Sequence, residues 1–309
     1  LDIDQNNLTM HDIKLGIDWA DDEAFYHQYY NTPPEKYIPQ LSDYNHKLPN
    51  LNIYITSFDG LIYARFQIKT LRHFLSSKVN LRIIFCDTNS HINPQASHSL
   101  EKLCANQMVD YIKLPHNKFQ DMDQLSFKLG TDMNWIWRNF IRKSNHPDYF
   151  GFLDQDCFLV KDCWNSIKLH LDRHGIYGLA WPQDPADIKY EYWLIHIMQN
   201  FFRYDYVEHV DLDFRPAGHI ALDTGGCNWY TLFKNLNRHD HIQTEEIFEH
   251  EWESEFRHFT LHDDKRWLHI RNSTKPFTGH PHEKIIKEAY MTGVLNGILH
   301  NQKYITIKK

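Results

Sequence analysis

The chain has little of what most motif-bearing families need. Its 309 residues carry 33 Lys and Arg against 40 Asp and Glu, a formal charge of −7, which argues against holding a nucleic-acid backbone by bulk charge. No apolar run exceeds a few residues, far short of the roughly 20 needed to cross a bilayer. Cysteine is sparse: Cys86, Cys104, Cys157, Cys163 and Cys227 are scattered and odd in number, with no Cys-x-x-Cys pair. That disfavours a zinc ribbon or a thioredoxin-type site and reads as buried, reduced thiols of a cytoplasmic protein. There is no Gly-rich phosphate loop, no dinucleotide fingerprint and no nucleophile elbow. P-loop NTPases, the common dinucleotide enzymes and α/β-hydrolases therefore have no motif to support them. No basic segment followed by an apolar one opens the chain, so no secretory signal is expected, and Leu1 in place of an initiator Met reads as a piece of a longer chain.

What is present is the composition of a soluble globular protein, with 42% apolar and 24% charged residues. Aromatics at 15% and 22 histidines stand out. Aromatic faces suit sugars or bases and imidazoles suit metals, but both also serve as ordinary core and surface residues.

Residues 1–50 are polar and broken by Pro33, Pro34, Pro39 and Pro49, which reads as an N-terminal extension with short helical pieces. A regular pattern then begins. Strands are expected at 51–56, 81–86, 109–114 and 149–153, and helices at 61–76, 94–107 and about 130–143. Strands alternating with helices predict an α/β fold with a mixed, mostly parallel central sheet. In such sheets ligands bind beyond the carboxyl ends of the strands, so the polar ends at 56–59, 87–90 and 154–156 should meet at one edge. Further on, 176–181, 219–222 and 267–270 read as strands. The aromatic-rich stretch 187–206, the acidic stretch 244–257 and the end 282–300 read as helices. One compact unit follows, with halves at 51–160 and 161–309.

Asp-x-Asp occurs at Asp2/Asp4, Asp121/Asp123, Asp154/Asp156 and Asp211/Asp213. A solvated turn is its ordinary meaning. The copy at Asp154 and Asp156 differs because it interrupts an apolar run, Tyr149–Leu153 before it and Cys157–Val160 after it. Two carboxylates placed there need a partner. A hard divalent cation holding a diphosphate supplies one, while a sheet-edge turn capped by helix N-termini is the plainer alternative. Asp211/Asp213 competes, although it lies in a polar stretch before Arg215 and Pro216.

These residues carry a resemblance. Ile53–Gly60 resembles the opening strand and loop of GT-A glycosyltransferases, most like their family 2 inverting members. Ile83–Ser90 resembles the segment whose Asp contacts the base. Pro115–Phe119, with Gly130 and Asn134, is similar to the Asn-containing stretch that follows, and Leu153–Asp156 resembles the metal motif. In the second half, His219–Gly226 with Trp229 looks like the acceptor-side segment, and Trp267–Ser273 resembles the late His-containing element.

The resemblance implies a donor site of Thr56, Ser57, Asp59, Asp87 and Asp154 for a UDP- or GDP-linked sugar. It implies Mn²⁺ or Mg²⁺ on Asp154 and Asp156 with His269 as a further contact, and an acceptor wall of Trp181, Asp223, Gly225 and Gly226. Inversion needs a base on the acceptor hydroxyl of a glycan. The family's usual acidic pair is absent, and Glu251 or Glu253 is the expected substitute from a stretch that otherwise reads as a solvated helix face. The implied role is polysaccharide biosynthesis in the cytoplasm, at the inner face of the membrane. A sugar nucleotidyltransferase and a carbohydrate-binding protein stay open as alternatives; the first lacks its Gly-rich loop, and the second needs the aromatics but not Asp154 and Asp156.

Most histidines and tryptophans have plainer readings. His250-Glu251-Trp252-Glu253-Ser254 begins like a zinc-protease helix but has Ser254 where the second ligand is required. His239, His241, His280 and His282 read as exposed loop residues. Trp135, Trp137, Tyr190, Tyr192 and Trp193 read as packing residues.

Overall fold

The computed structural model describes residues 19–40, 45–57, 60–88, 92–120, 125–143, 147–182, 192–218, 222–242, 245–248, 259–270 and 281–300. Helix α1 (Trp19–Asn31) and strand β1 (Lys36–Ile38) come first. An alternating run follows: β2 (Asn50–Ser57), α2 (Leu61–Leu75), β3 (Asn80–Asp87), α3 (Pro94–Gln107), β4 (Asp110–Lys113), α4 (Leu125–Ile136) and β5 (Tyr149–Asp154). After β6 (Cys157–Leu159), α5 (Trp164–His174), β7 (Ile176–Pro182) and β8 (Trp193–Arg203) come β9 (Glu245–Phe248), β10 (Phe259–His262), β11 (Trp267–Ile270) and α6 (Pro281–Leu299).

Local chemistry starts and stops these helices. The Asn93 side chain accepts from the Ala96 N–H and Pro94 fills the first turn of α3, while α5 ends on Gly175 at φ +77°, whose N–H bonds back to the Leu171 carbonyl. Arg72 and His73 occupy the last turn of α2, where positive charge complements the helix dipole.

The main sheet has seven strands in the order β1-β4-β3-β2-β5-β8-β7. Strands β4, β3, β2 and β5 are mutually parallel; β1 and β8 run antiparallel to their neighbours, which returns β7 to the common direction. This is the mixed, mostly parallel α/β sheet expected from the alternation. Its middle strands are apolar throughout because both faces are covered. Leu51, Ile53 and Ile55 of β2 pack with Ala64, Ile68 and Leu71 of α2 on one face, while Tyr54 points into the other, among Tyr29, Tyr30, Trp135 and Trp137. Close approach shapes that second face: a Cβ on Gly130 of α4 would sit 2.3 Å from the Phe214 carbonyl oxygen, so only glycine lets the helix lie on this segment. All five cysteines are free, and burial raises each thiol above its ordinary value, as expected of unreactive core residues.

Two expected helices are strands. Of 187–206, residues 193–203 form β8, and of 244–257, residues 245–248 form β9; 183–191 and 249–258 lie outside the described residues. The first misreading has a physical cause: β8 lies between β5 and β7 and is buried along most of its length, so it shows no period of two. At 219–222, only Leu222 is described, in an isolated bridge to Ala217.

A second sheet, in the order β6-β11-β10-β9, packs its Phe158, Leu268 and Ile270 against Tyr63 and Phe66 of α2 and Met291 and Leu295 of α6. The chain crosses from one sheet to the other at Asp154–Asp156, which sets up the site.

Candidate functional site

The carboxyl ends of three parallel strands finish level. Ser57 pairs with Asp87 and Thr56 pairs with Asp154, so β2, β3 and β5 present their polar ends at one edge as the sequence predicts. Beyond β5 the backbone turns through Gln155 into β6. A buried amide from α2 holds this turn, because Gln67 Nε2 donates to the carbonyls of Asp154 at 2.7 Å and Cys157 at 3.1 Å. On its other side β6 pairs with β11, placing Cys157 opposite His269, and the Ile270 N–H donates to the Asp156 carbonyl at 3.0 Å.

That pairing brings in a residue more than a hundred positions away. His269 Nε2 lies 3.5 Å from Asp156 Oδ1, and one donor atom from each of Asp154, Asp156 and His269 falls within 4.8 Å of the others. Two carboxylates and an imidazole converging at a strand end are a fit set for a divalent cation. The oxygen-plus-imidazole mixture suits Mn²⁺ better than Mg²⁺, which favours an all-oxygen shell.

The electrostatics agree with that donor set. The Asp154 carboxyl is pushed up to about 7, first by burial and then by the Asp156 carboxylate, with Asp223 adding to the rise and His269 opposing it. Its folded value exceeds its unfolded one, so the folded protein holds a proton that the unfolded chain releases above about pH 4. The stability contributed is complete below about pH 4 and is lost as pH rises through about 7. Denaturation of metal-free protein between about pH 4 and 7 is expected to show this falling contribution, and Asp154→Asn to flatten the slope. An unchanged slope in the variant contradicts it.

The other expected site residues are placed as follows. Asp87 is buried, and its Oδ2 accepts from the hydroxyls of Ser97 and of Tyr111, the latter at 2.6 Å. Ser57 is buried and its carbonyl accepts from Thr88 Oγ1 at 3.3 Å. Trp181, half-buried near the end of β7, meets the His196 ring at 5.5 Å, and His196 in turn lies 6.4 Å from the His269 ring. Asp223 is exposed yet near enough to bear on Asp154. Gly225 takes φ +91°, a left-handed turn that suits glycine, and Gly226 is pressed against Leu222 and Ala217, where a Cβ would lie 2.6 Å from the Leu222 Cβ. Asp59, Glu251 and Glu253 lie outside the described residues.

The competing Asp-x-Asp copy is spoken for. Arg215 Nε donates to Asp213 at 2.9 Å and Asn134 Nδ2 donates to it at 2.8 Å. Burial alone would raise the Asp213 carboxyl, but the Arg215 guanidinium and the Asn134 amide hold it below the usual value. Asp211 is exposed, with Arg138 at 3.8 Å. Asn117 and Asn134 of the resembling stretch are likewise engaged in the core: Asn117 Nδ2 donates to Asp132 at 2.8 Å, and Asn134 Oδ1 accepts from the Phe214 N–H at 2.7 Å.

No family model matches this sequence, and no curated protein matches it. Solved structures do. A mannosyltransferase, PcManGT from Pyrobaculum calidifontis in complex with GDP-Man and Mn²⁺, aligns at 10% identity over 66% of this chain and 56% of its own, with a TM-score of 0.35. S. aureus TarS 1-349 in complex with UDP aligns at 13% identity over 53% of this chain and 50% of its own, with a TM-score of 0.37. The same fragment in complex with UDP-GlcNAc aligns at 13% identity over 53% of this chain and 48% of its own, also with a TM-score of 0.37. The chain thus spans about half the length of the structures it matches.

Sequence reasoning missed His196 and Gln67. The register between β7 and β8 shifts between the pairs Gly178–Asn200 and Ala180–Ile195, leaving extra residues on β8, and His196 sits in that bulge. No local pattern marks it. Gln67 looks like one more polar position on a helix, and its role appears only when α2 is laid across the turn.

Proposed function

We propose that this chain is a metal-dependent glycosyltransferase, moving a sugar from a UDP- or GDP-linked donor to a hydroxyl of a glycan acceptor with inversion. The observation that carries the reading is the convergence of Asp154, Asp156 and His269 at the carboxyl end of β5, beside the ends of β2 and β3. Those three residues would hold Mn²⁺ or Mg²⁺, which neutralises charge gathering on a leaving diphosphate.

The chain's own groups divide the remaining work. Thr56, Ser57 and Asp87 stand at the strand ends where a nucleoside would lie, and Asp59, outside the described residues, is assigned to the same donor site. Gln67 keeps the two carboxylates in place by fixing the backbone on either side of them. Trp181 offers a half-buried aromatic face for an acceptor pyranose, and Asp223, Gly225 and Gly226 are assigned to the same acceptor side. The base that takes the acceptor proton is assigned to Glu251 or Glu253. Among the described residues, no helix is long and apolar enough to cross a membrane, and the reading places the enzyme in the cytoplasm, at the inner face of the membrane.

A panel of UDP- and GDP-sugars, each with and without Mn²⁺, tests this by thermal shift and by release of the nucleoside diphosphate. Stabilisation by a donor only when metal is present, with diphosphate release in the presence of acceptor, is the expected outcome. Pyrophosphate release from a nucleoside triphosphate and a sugar phosphate would identify a nucleotidyltransferase instead. Indifference to every nucleotide would end the proposal.

A further inference from the structure

A second cluster of metal-ligating side chains lies at the outer edge of the main sheet. His170 and His174 stand one turn apart on α5, the i, i+4 spacing that puts two imidazoles on one helical face. Facing them is the segment 238–242, which runs along edge strand β7: Leu179 bridges Ile242, and the Ala180 N–H donates to the Ile242 carbonyl at 2.7 Å. This segment carries Asp240 and His241. The sequence reading made His241 an exposed loop residue; it is buried, because the edge of β7 draws its segment against α5.

The ring centres are spaced much as those of metal ligands are, and at the donor atoms the His170–His241 pair is. Centroids lie 4.8 Å apart for His170 and His174, 5.4 Å for His170 and His241, and 6.0 Å for His174 and His241. Three imidazoles on one tetrahedral ion, bound through nitrogens at about 2.0–2.1 Å, stand roughly 5 Å apart at their centres and roughly 3.4 Å apart at the ligating atoms. His170 Nε2 and His241 Nδ1 are 3.4 Å apart. A contact between two ring nitrogens requires one lone pair, so at least one ring is neutral, as a metal ligand must be. Burial pushes both rings down to about 4, in the same direction.

We propose that His170, His174, His241 and Asp240 form a structural site for a tetrahedral borderline cation, Zn²⁺ being the fitting member, which clips the segment 238–242 to α5. His170 and His241 already hold two donors at the required separation. His174 and Asp240, with Nδ1 and Oδ2 3.9 Å apart and side chains 23% and 46% exposed, complete the set by side-chain rotation. A cavity of about 350 Å³ lined by these four residues leaves room for that movement. Of the two guanidiniums bordering it, Arg266 is ion-paired to Asp263 at 2.9 Å and Arg173 is exposed. Four protein ligands make a closed site, so its role is stability rather than chemistry.

The test removes the first site to isolate the second. In an Asp154→Asn, Asp156→Asn protein stripped with chelator and then reloaded with Zn²⁺, one Zn²⁺ per chain should survive gel filtration, and reloading with Co²⁺ should give the intense visible bands of a tetrahedral complex. His241→Gln should abolish both signals. His174→Ala, at a partly exposed position that leaves the core intact, should weaken Zn²⁺ at least about tenfold. Zn²⁺ should also raise the melting temperature of the Asp154→Asn, Asp156→Asn protein and not that of the same protein carrying His241→Gln. Absence of retained zinc and of the cobalt bands, or their persistence in both variants, overturns the assignment.

Discussion

Asp156→Ala is expected to eliminate turnover, lowering metal-dependent diphosphate release by about 10³-fold or more while leaving the protein folded. Asp156 sits at the turn between two sheets, with its carboxylate beside His269 and within reach of Asp154. Its backbone carbonyl, not its side chain, makes the bond to Ile270 that joins β6 to β11, so removing the carboxylate spares the sheet. The change also takes a like charge away from Asp154, whose carboxyl should move back toward its ordinary value. The variant should therefore be as stable as the parent, or more so, without metal, and should gain nothing from Mn²⁺ plus donor. Asp211→Ala is the matched control, an exposed member of the other Asp-x-Asp copy, and its turnover should stay within about twofold of the parent. Near-normal release from Asp156→Ala, or equal losses in the two variants, would refute the assignment.

Asp132→Ala should cost about 3–5 kcal/mol of stability, read as a fall in the urea midpoint with little change in slope. Asp132 of α4 is buried and gathers three donors: Tyr29 Oη of α1 at 2.7 Å, Asn117 Nδ2 at 2.8 Å, and Lys128 Nζ at 3.2 Å. Lys128 is itself only 3% exposed, so the truncation strands an ammonium that has lost its paired carboxylate inside the protein. The Tyr29 hydroxyl and the Asn117 amide lose an acceptor in the same step. The paired change Lys128→Met, Asp132→Leu should recover much of the loss, since breaking a buried ion pair costs more than replacing it by apolar groups. A loss below about 1 kcal/mol for Asp132→Ala would show that the network contributes little.

How much of this was legible differs between the two halves. From Asn50 to Leu159 the strand and helix periods stand out, because each parallel strand is a short apolar run closed by polar residues and each helix has an apolar stripe. Asp154 and Asp156 were visible for the same reason, as two charges interrupting such a run. The second half hides its pattern. Strand β8 is covered on both sides, and the second sheet is assembled from four-residue and three-residue strands, too short for periodicity to register.

The histidines show the same division. Sequence favoured His269 by its place at a strand end, and the pairing of β11 with β6 sets it against Asp156. His170 and His174 had the right spacing on one helix, but their third member comes from a segment 67 residues beyond His174, drawn in by the edge of β7. Exposure was misjudged at His241 because burial there depends on what lies opposite.

By itself, then, the sequence determined the α/β alternation, the absence of a bilayer-spanning run and the position of one suspicious carboxylate pair. All three are local, written in the spacing of apolar and charged residues along a few turns or strands. Only the tertiary structure decided which Asp-x-Asp copy meets an imidazole and which is tied to Arg215. It alone brought His269 and His196 to the site, and gathered three imidazoles at the edge of the sheet. Those outcomes depend on strand order, register and a bulge, and these are set by the packing of segments far apart in the chain.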